Sequence, residues 1–549
     1  MADLPAMSLL QKLSHWIDRN ILELGREMRL SYLPPLMVYV AAGVSGLTGI
    51  VGTFFVKEYL GLPAEFLAAL GFWAGIPWAL KMPLGHLVDL IWRFKSVMVF
   101  IGAGMIAVSL LIMVGLLSDP DSMRAVMSAE AWFVISALLA PTGYVVQDVV
   151  ADAMTVEAVP QYREDGQAID KDTKRLMHTT MQTLGRVAII GGGVLVALLN
   201  VYMFRGVEGL AEAQKVKVYT DIYQLALLIP VISVLGVLLG YFLKWKELHR
   251  LRQNGIQRAD AWRMMNVQEA PPAANWWILG GSLAFVVFTL SMGLGNIRYN
   301  QEIIFLGSLT IILFLMSRLV KVLDVDARRT LVGTAVIIFI YRATPTPGPG
   351  ATWWMIDELG FDQQFLSILS LIGAALTLFG MFVFRRFMAE KSIAYVVVFL
   401  TIVSTFLTLP IVGMYYGLHE WTAAHSGGVV DARFIALVDT ALESPLGQIA
   451  MIPMLAWIAN SAPPQLKATF FAVMASFTNL ALSASQLGTK YVNQIYTVTR
   501  EVKDPQAGVV TLPANYDELG VLLITVTLLV LSLPLIAVVI VKQTRLQSA

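Results

Sequence analysis

The chain has 549 residues, 57% of them hydrophobic and 14% charged, and a mean hydropathy of +0.69. That balance excludes a water-soluble protein and suits a polytopic membrane protein. A formal net charge of +1 implies neither a nucleic acid nor an acidic partner, and the absence of cysteine excludes disulfides, thiol catalysis and cysteine metal sites. Six histidines are scattered without an HExxH pair, so no metal and no cofactor is expected.

Residues 1–33 carry Lys12, Arg19, Arg26 and Arg29 among leucines and Trp16, with no short apolar core before a cleavage site. They read as an amphipathic segment on the cytoplasmic membrane surface. Apolar runs of about 20 residues, enough to span a bilayer, follow. They lie at 34–56, 66–90, 96–117, 131–155, 179–203, 221–243, 275–294, 302–320, 330–348, 362–384, 392–416, 432–459, 467–493 and 517–541. These fourteen spans put both ends on one side. Alternate loops are basic, from Arg93 and Lys95, through Lys171, Lys174 and Arg175, to Lys321, Arg328 and Arg329. By the positive-inside rule that side is the cytoplasm.

The longest basic loop, 244–274, ends in Pro271-Pro272 and reads as a cytoplasmic linker. It separates a six-helix bundle at 34–243 from an inserted transmembrane hairpin at 275–320. A second six-helix bundle follows at 321–541, and 542–549 is a cytoplasmic tail. The expected fold class is an all-α polytopic membrane protein. Its plan is the major facilitator fold, two six-helix bundles plus the inserted hairpin.

The first motif closes the second span, with Lys81, Gly85 and Asp89 followed by Arg93. Gly85 permits close helix approach, Asp89 stands four residues before Arg93 for a latching ion pair, and Lys81 is deep enough to snorkel. The ordinary reading is a capped loop with a surface ion pair, which contributes only about 0–1 kcal/mol. The second motif, Gln147-Asp148-Val149-Val150-Ala151-Asp152 with Glu157, puts two carboxylates on one face of an apolar helix. Charge in a span is costly and marks a cavity or a partner. Arg186 enters the fifth span at matching depth as the candidate partner. Here the bland reading is a structural ion pair.

In the second half, Tyr341-Arg342-Ala343-Thr344-Pro345-Thr346-Pro347-Gly348 breaks a helix near mid-membrane, and such backbone persists where it lines a cavity. Arg342 is a fixed cation for an anionic solute or a carboxylate. Asp439 and Glu443 repeat the four-residue acidic spacing. Asp439 reads as interfacial, and Glu443 lies at the depth of Arg342 as its candidate partner. Pro463-Pro464 marks a cytoplasmic turn, and Asn479 within the next span reads as an interhelical hydrogen-bonding residue or a solute contact.

Taken in order, the run at 77–89, the stretch 148–157, residues 343–361 and residues 453–479 resemble the folate–biopterin transporter family of the major facilitator superfamily. Lys467 departs from that family's acidic residue after the paired prolines. The Gln-Asp-x-x-x-Asp-Ala pattern is also similar, more distantly, to the muropeptide permeases. The resemblance implies a secondary transporter in the inner membrane, not an enzyme. Its solute would be a flat heteroaromatic folate or pterin carried by alternating access. Its working residues would be Asp148, Asp152, Arg186, Arg342, Glu443 and Asn479. Asp148, Asp152 and Glu443 are the candidates for protonation linked to transport. The alternatives are a carrier of another solute such as a muropeptide or sugar-peptide, and a non-transporting assembly factor on the same scaffold.

Overall fold

The computed structural model describes residues 23–60, 62–79, 81–91, 94–160, 169–253, 276–294, 298–321, 323–384, 391–447, 467–503 and 510–548, with positions 14, 18, 167, 255, 387 and 449. Most of the expected amphipathic segment and of the basic linker, and the paired-proline turn, lie outside these residues. The described chain is helical, with one small addition that the sequence did not suggest. Strand β1 (Val502–Lys503) pairs antiparallel with β2 (Val510–Leu512) in the last interhelical loop.

The N-terminal helices are α1 (Leu33–Gly43), α2 (Gly49–Tyr59), α3 (Ala64–Ala79), α4 (Lys81–Leu90), α5 (Lys95–Ser118), α6 (Ala129–Ala158), α7 (Lys171–Met203), α8 (Glu212–Ala226) and α9 (Leu228–Gln253). Then come α10 (Trp276–Leu294) and α11 (Asn300–Val320), which form the inserted hairpin. The C-terminal helices are α12 (Val325–Arg342), α13 (Pro349–Asp357), α14 (Gln363–Val383), α15 (Ile393–Tyr415), α16 (Ala432–Glu443), α17 (Lys467–Ile495) and α18 (Leu519–Gln543). Helix starts are set by side-chain caps. Ser128, Asp170, Asp324, Asp362, Ser392 and Asp431 each accept a hydrogen bond from a backbone N–H of the first turn. Capping satisfies donors that the helix itself leaves orphaned.

Among the described residues, nine helices are long and apolar enough to cross a membrane by length and composition. The other five predicted runs are not among these nine. Run 66–90 is helical over α3 and α4, on either side of position 80, which lies outside the described residues. Run 275–294 is helical over Trp276–Leu294, with an apolar stretch at Leu279–Thr289. Run 330–348 stops at Arg342, ahead of three prolines at alternate positions. Run 432–459 is helical to Glu443, passes into a 3-10 turn at Ser444–Leu446, and lies mostly outside the described residues beyond it. Run 467–493 lies within α17, a helix of 29 residues that is polar along one face.

Helices from the two ends of the chain meet along two seams, α3 with α17 and α7 with α14. At the first seam Gly71 and Gly75 face α17. A Cβ would stand 2.7 Å from Gln486 Oε1 at Gly71 and 3.3 Å from Ser483 Oγ at Gly75. Small residues at four-residue spacing let two helices approach closely within a membrane. Gly85, for which close approach was expected, has nothing among the described residues within 4 Å of its Cβ position. The hairpin lies along this seam, with α11 against α17 and α10 against α4. Its turn is fixed to α17 by Glu302, which accepts from Lys490 Nζ at 2.9 Å and from Tyr491 OH at 2.6 Å.

The third acidic residue of the 148–157 stretch has a structural role. Glu157, near the end of α6, accepts from Lys95 at 2.5 Å and from Lys244 at 2.9 Å, tying α5, α6 and α9 together. Burial opposes its charge, but Lys244 and Lys95 outweigh burial and hold the carboxyl below its ordinary value of 4.5. A depressed carboxyl contributes stability that is present above that ordinary value and is lost as pH falls through the folded value. Glu157→Gln is therefore expected to lower stability in detergent at neutral pH by about 1–3 kcal/mol. The difference from wild type should vanish in acid, and equal thermal unfolding of the two proteins at neutral pH would refute the tie.

Candidate functional site

Charge enters the apolar interior on α4, the helix that carries Lys81. Lys81 turns inward, and it does not snorkel to the surface. Its ammonium stands 2.6 Å from Asp148 Oδ2 and 2.8 Å from Asp152 Oδ2, the two carboxylates aligned on α6. Tyr39 of α1, 5% exposed, donates its hydroxyl to Asp152 Oδ1 at 2.7 Å. Three elements thus converge on one cation, two carboxylates and one phenol. Gln147, next to Asp148, is spent on packing. It donates to the Val99 carbonyl at 3.2 Å and to Ser233 at 3.0 Å.

The partner of the acidic pair is therefore Lys81, which the sequence reading had assigned to the loop motif. Arg186 of α7 is not the ion-pair partner, although its charge acts on both Asp148 and Tyr39. Depth counting cannot find this partner, because depth does not say which way a side chain turns across the bundle. Asp89 falls in α4, and its side chain, like Arg93 as a whole, lies outside the described residues.

In the C-terminal half, Arg342 is the last residue of α12, and the break that follows is held by α17. Prolines at 345, 347 and 349 remove three backbone donors that a buried break would otherwise leave unsatisfied. What remains is met by one face of α17. Ser485 Oγ donates to the Thr344 carbonyl at 2.6 Å, Thr489 Oγ1 accepts from the Thr346 N–H at 2.9 Å, and Asn493 Nδ2 donates to the Pro347 carbonyl at 3.2 Å. Gly348 takes φ +77°, and a Cβ there would meet Asn493 at 2.8 Å. The sequence reading missed Ser485, Thr489 and Asn493. Their four-residue spacing along an otherwise apolar helix was the available signal.

The expected Arg342–Glu443 pair is not among the ion pairs of the described residues. Glu443 ends α16 and is exposed, whereas Asp439 is 7% exposed with Oδ1 unbonded among the described residues. Asp439 is thus buried and not interfacial, and it is the less exposed of the two. Asn479 bonds between helices, as one of its two readings held. Its Nδ2 donates to the Trp78 carbonyl at 3.2 Å, across the α3–α17 seam and three residues from Lys81.

A third set of groups joins the halves at one face of the bundle. Lys57, near the end of α2, meets Asp357 of α13 at 2.5 Å, and Tyr516 donates to the same carboxylate. Arg500, 2% exposed, donates to the Lys57 carbonyl at 2.9 Å and to the Leu62 carbonyl at 2.5 Å, with its guanidinium 4.8 Å from the Trp353 ring centroid. Burial lowers the Arg500 guanidinium to about 10. Burial, together with the hydrogen bond to Asp357, raises the Tyr516 phenol, which leaves Asp357 as acceptor. On the same face Gln363 donates to Tyr219 OH at 2.8 Å, again across the halves. The sequence reading did not single out Lys57 or Arg500, because nothing local marks an interhelical latch.

Comparison with known proteins gives these features a family. A folate-biopterin transporter of Synechocystis sp. is 28% identical over 154 residues, which cover 28% of this chain and 30% of that protein. The match therefore spans under a third of either length. The fold is similar to a POT family transporter in complex with a thioalcohol-conjugated peptide, with TM-score 0.55 at 10% identity, covering 94% of this chain and 96% of that one. It is also similar to a mutant of the nucleoside transporter NupG, with TM-score 0.52 at 13% identity, covering 93% and 99%. The BT1 family model matches residues 42–548. The chain thus belongs to the BT1 family, and its fold is similar to that of these two solved transporters.

Proposed function

We propose that this protein is a proton-coupled secondary transporter that moves a folate- or pterin-like solute across the inner membrane by alternating access. The observation that carries the reading is Lys81 held between Asp148 and Asp152. One cation facing two carboxylates leaves a surplus negative charge, and a low-dielectric interior disfavours unbalanced charge. Uptake of one proton balances the cluster, and its release restores the surplus. Such a group can change state in step with the helices that hold it.

The two seams support a division into bundles at 34–243 and 321–541, with the hairpin 275–320 as an insert and fourteen spans in all. The basic loops support a cytoplasmic location for both ends. On that orientation the face closed by Lys57–Asp357 and Arg500 is the outer one, and it opens when the bundles rock. Arg342 and Arg186 would offer positive charge to the carboxylates of a folate. The printed name of the Synechocystis relative, a folate-biopterin transporter, favours this solute class.

Uptake of radiolabelled folate into proteoliposomes tests the solute, with unlabelled pterin expected to compete and a muropeptide not. Competition by the muropeptide alone would select the sugar-peptide reading. Absence of any flux, with a stably copurifying partner, would select the assembly factor.

Coupling is tested by Asp152→Asn. It should reduce uptake driven by a pH gradient about ten-fold, as expected when a functional intramembrane carboxylate is neutralised, while solute exchange at equal pH persists. Gradient-driven uptake that survives intact would remove protons from the reading.

The latch gives a further test, since the chain contains no native cysteine. Lys57→Cys with Asp357→Cys, joined by a short reducible cross-linker, is expected to abolish net uptake, and reduction is expected to restore it. Full transport in the cross-linked protein would show that this face need not open.

A further inference from the structure

Arg342 stands beside a helix break, and one helix touches both that break and the backbone of α3 close to Lys81. The polar face of α17 runs Asn479, Ser485, Thr489, Asn493. Its first member holds the Trp78 carbonyl, three residues before Lys81, and the other three hold the backbone of the α12–α13 interruption. The contact at Thr489 is the most constrained. Among residues 344–349 the three prolines leave N–H groups only on Thr344, Thr346 and Gly348. The Thr346 N–H goes to Thr489 Oγ1, whose own hydrogen goes to the Ser485 carbonyl at 2.9 Å. Both the donor and the acceptor capacity of this hydroxyl are therefore used, and its orientation is fixed. Asn493 Nδ2 is likewise shared between the Pro347 carbonyl and the Thr489 carbonyl at 2.9 Å. The backbone immediately after Arg342 has no regular helical ladder to fix it, so the α17 face does so.

We propose that Thr489, with Ser485 and Asn493, positions Arg342 for solute binding, and that α17 keeps this cation in register with the Lys81 cluster through Asn479. The inference rests on the reading of Arg342 as the solute-facing cation. Helix α17 carries no charge to the solute itself. It decides where the α12 terminus points its guanidinium, and a displacement of that terminus is felt as weaker solute binding with an unchanged translocation step.

Thr489→Val keeps the shape and removes the hydroxyl. With folate as the probe, it is expected to raise KM about ten-fold with kcat within about two-fold, the pattern of lost ground-state binding. Thr489→Ser, which keeps the hydroxyl, should restore KM. In an Arg342→Gln background Thr489→Val should add nothing further, because both changes remove the same interaction. Two readouts need no solute. Amide exchange across residues 343–350 should accelerate in Thr489→Val and not in Thr489→Ser, and phenylglyoxal modification of Arg342 should change rate in the same variant only. A wild-type protein that ignores folate would refute the solute and leave these two measurements to decide the positioning role. Unchanged exchange and unchanged modification in Thr489→Val, or an additive effect in the Arg342→Gln background, would overturn the proposal.

Discussion

A membrane interior offers no water to a backbone amide or a charge, so every interruption of a helix has to be satisfied by a neighbouring helix. This constraint organises the molecule. Lys81, turned into the interior, requires the carboxylates of α6. The α12–α13 interruption exposes carbonyls and one central N–H, which then require the polar face of α17. The long apolar helices such as α5, α15 and α18 turn large hydrophobic side chains outward, as at Leu111, Phe406 and Leu528.

The same constraint explains why charge is distributed as it is. Glu157 and Lys95 sit where α5 and α6 reach one face of the bundle, and they are a packing tie. Lys57, Asp357 and Arg500 sit at the other face and join segments from opposite halves. Between these faces, charge is concentrated at Lys81, Asp148 and Asp152, and at the end of α12.

Much of this was legible in the sequence, and its limits are instructive. Hydropathy and the basic loops gave the membrane class. The Gln-Asp-x-x-x-Asp run gave the most heavily charged segment of the interior. The Pro-Gly run after Arg342 gave the place where a span is broken. Each signal is local, within one or two helical turns. Pairing across the bundle is not local. Lys81 with Asp148 links residues 67 positions apart, and Arg500 with the Lys57 carbonyl links residues 443 apart. Matching residues by depth along straight helices led to Arg186 and Glu443, and it failed because depth does not say which side chains face each other across the bundle.

By itself the sequence determined that the chain lives in a membrane, where its helices begin and which segments carry unaffordable charge, because these follow from composition, capping residues and periodicity within single elements. The tertiary structure decided which charge meets which. It gave Lys81 to Asp148 and Asp152, it buried Asp439 and left Glu443 exposed, and it set a stripe of three uncharged side chains on α17 to hold the backbone beside Arg342. The physical reason is that an ion pair or a satisfied carbonyl depends on the positions of two helices at once, and helix packing and helix breaks fix those positions only when the whole bundle has assembled.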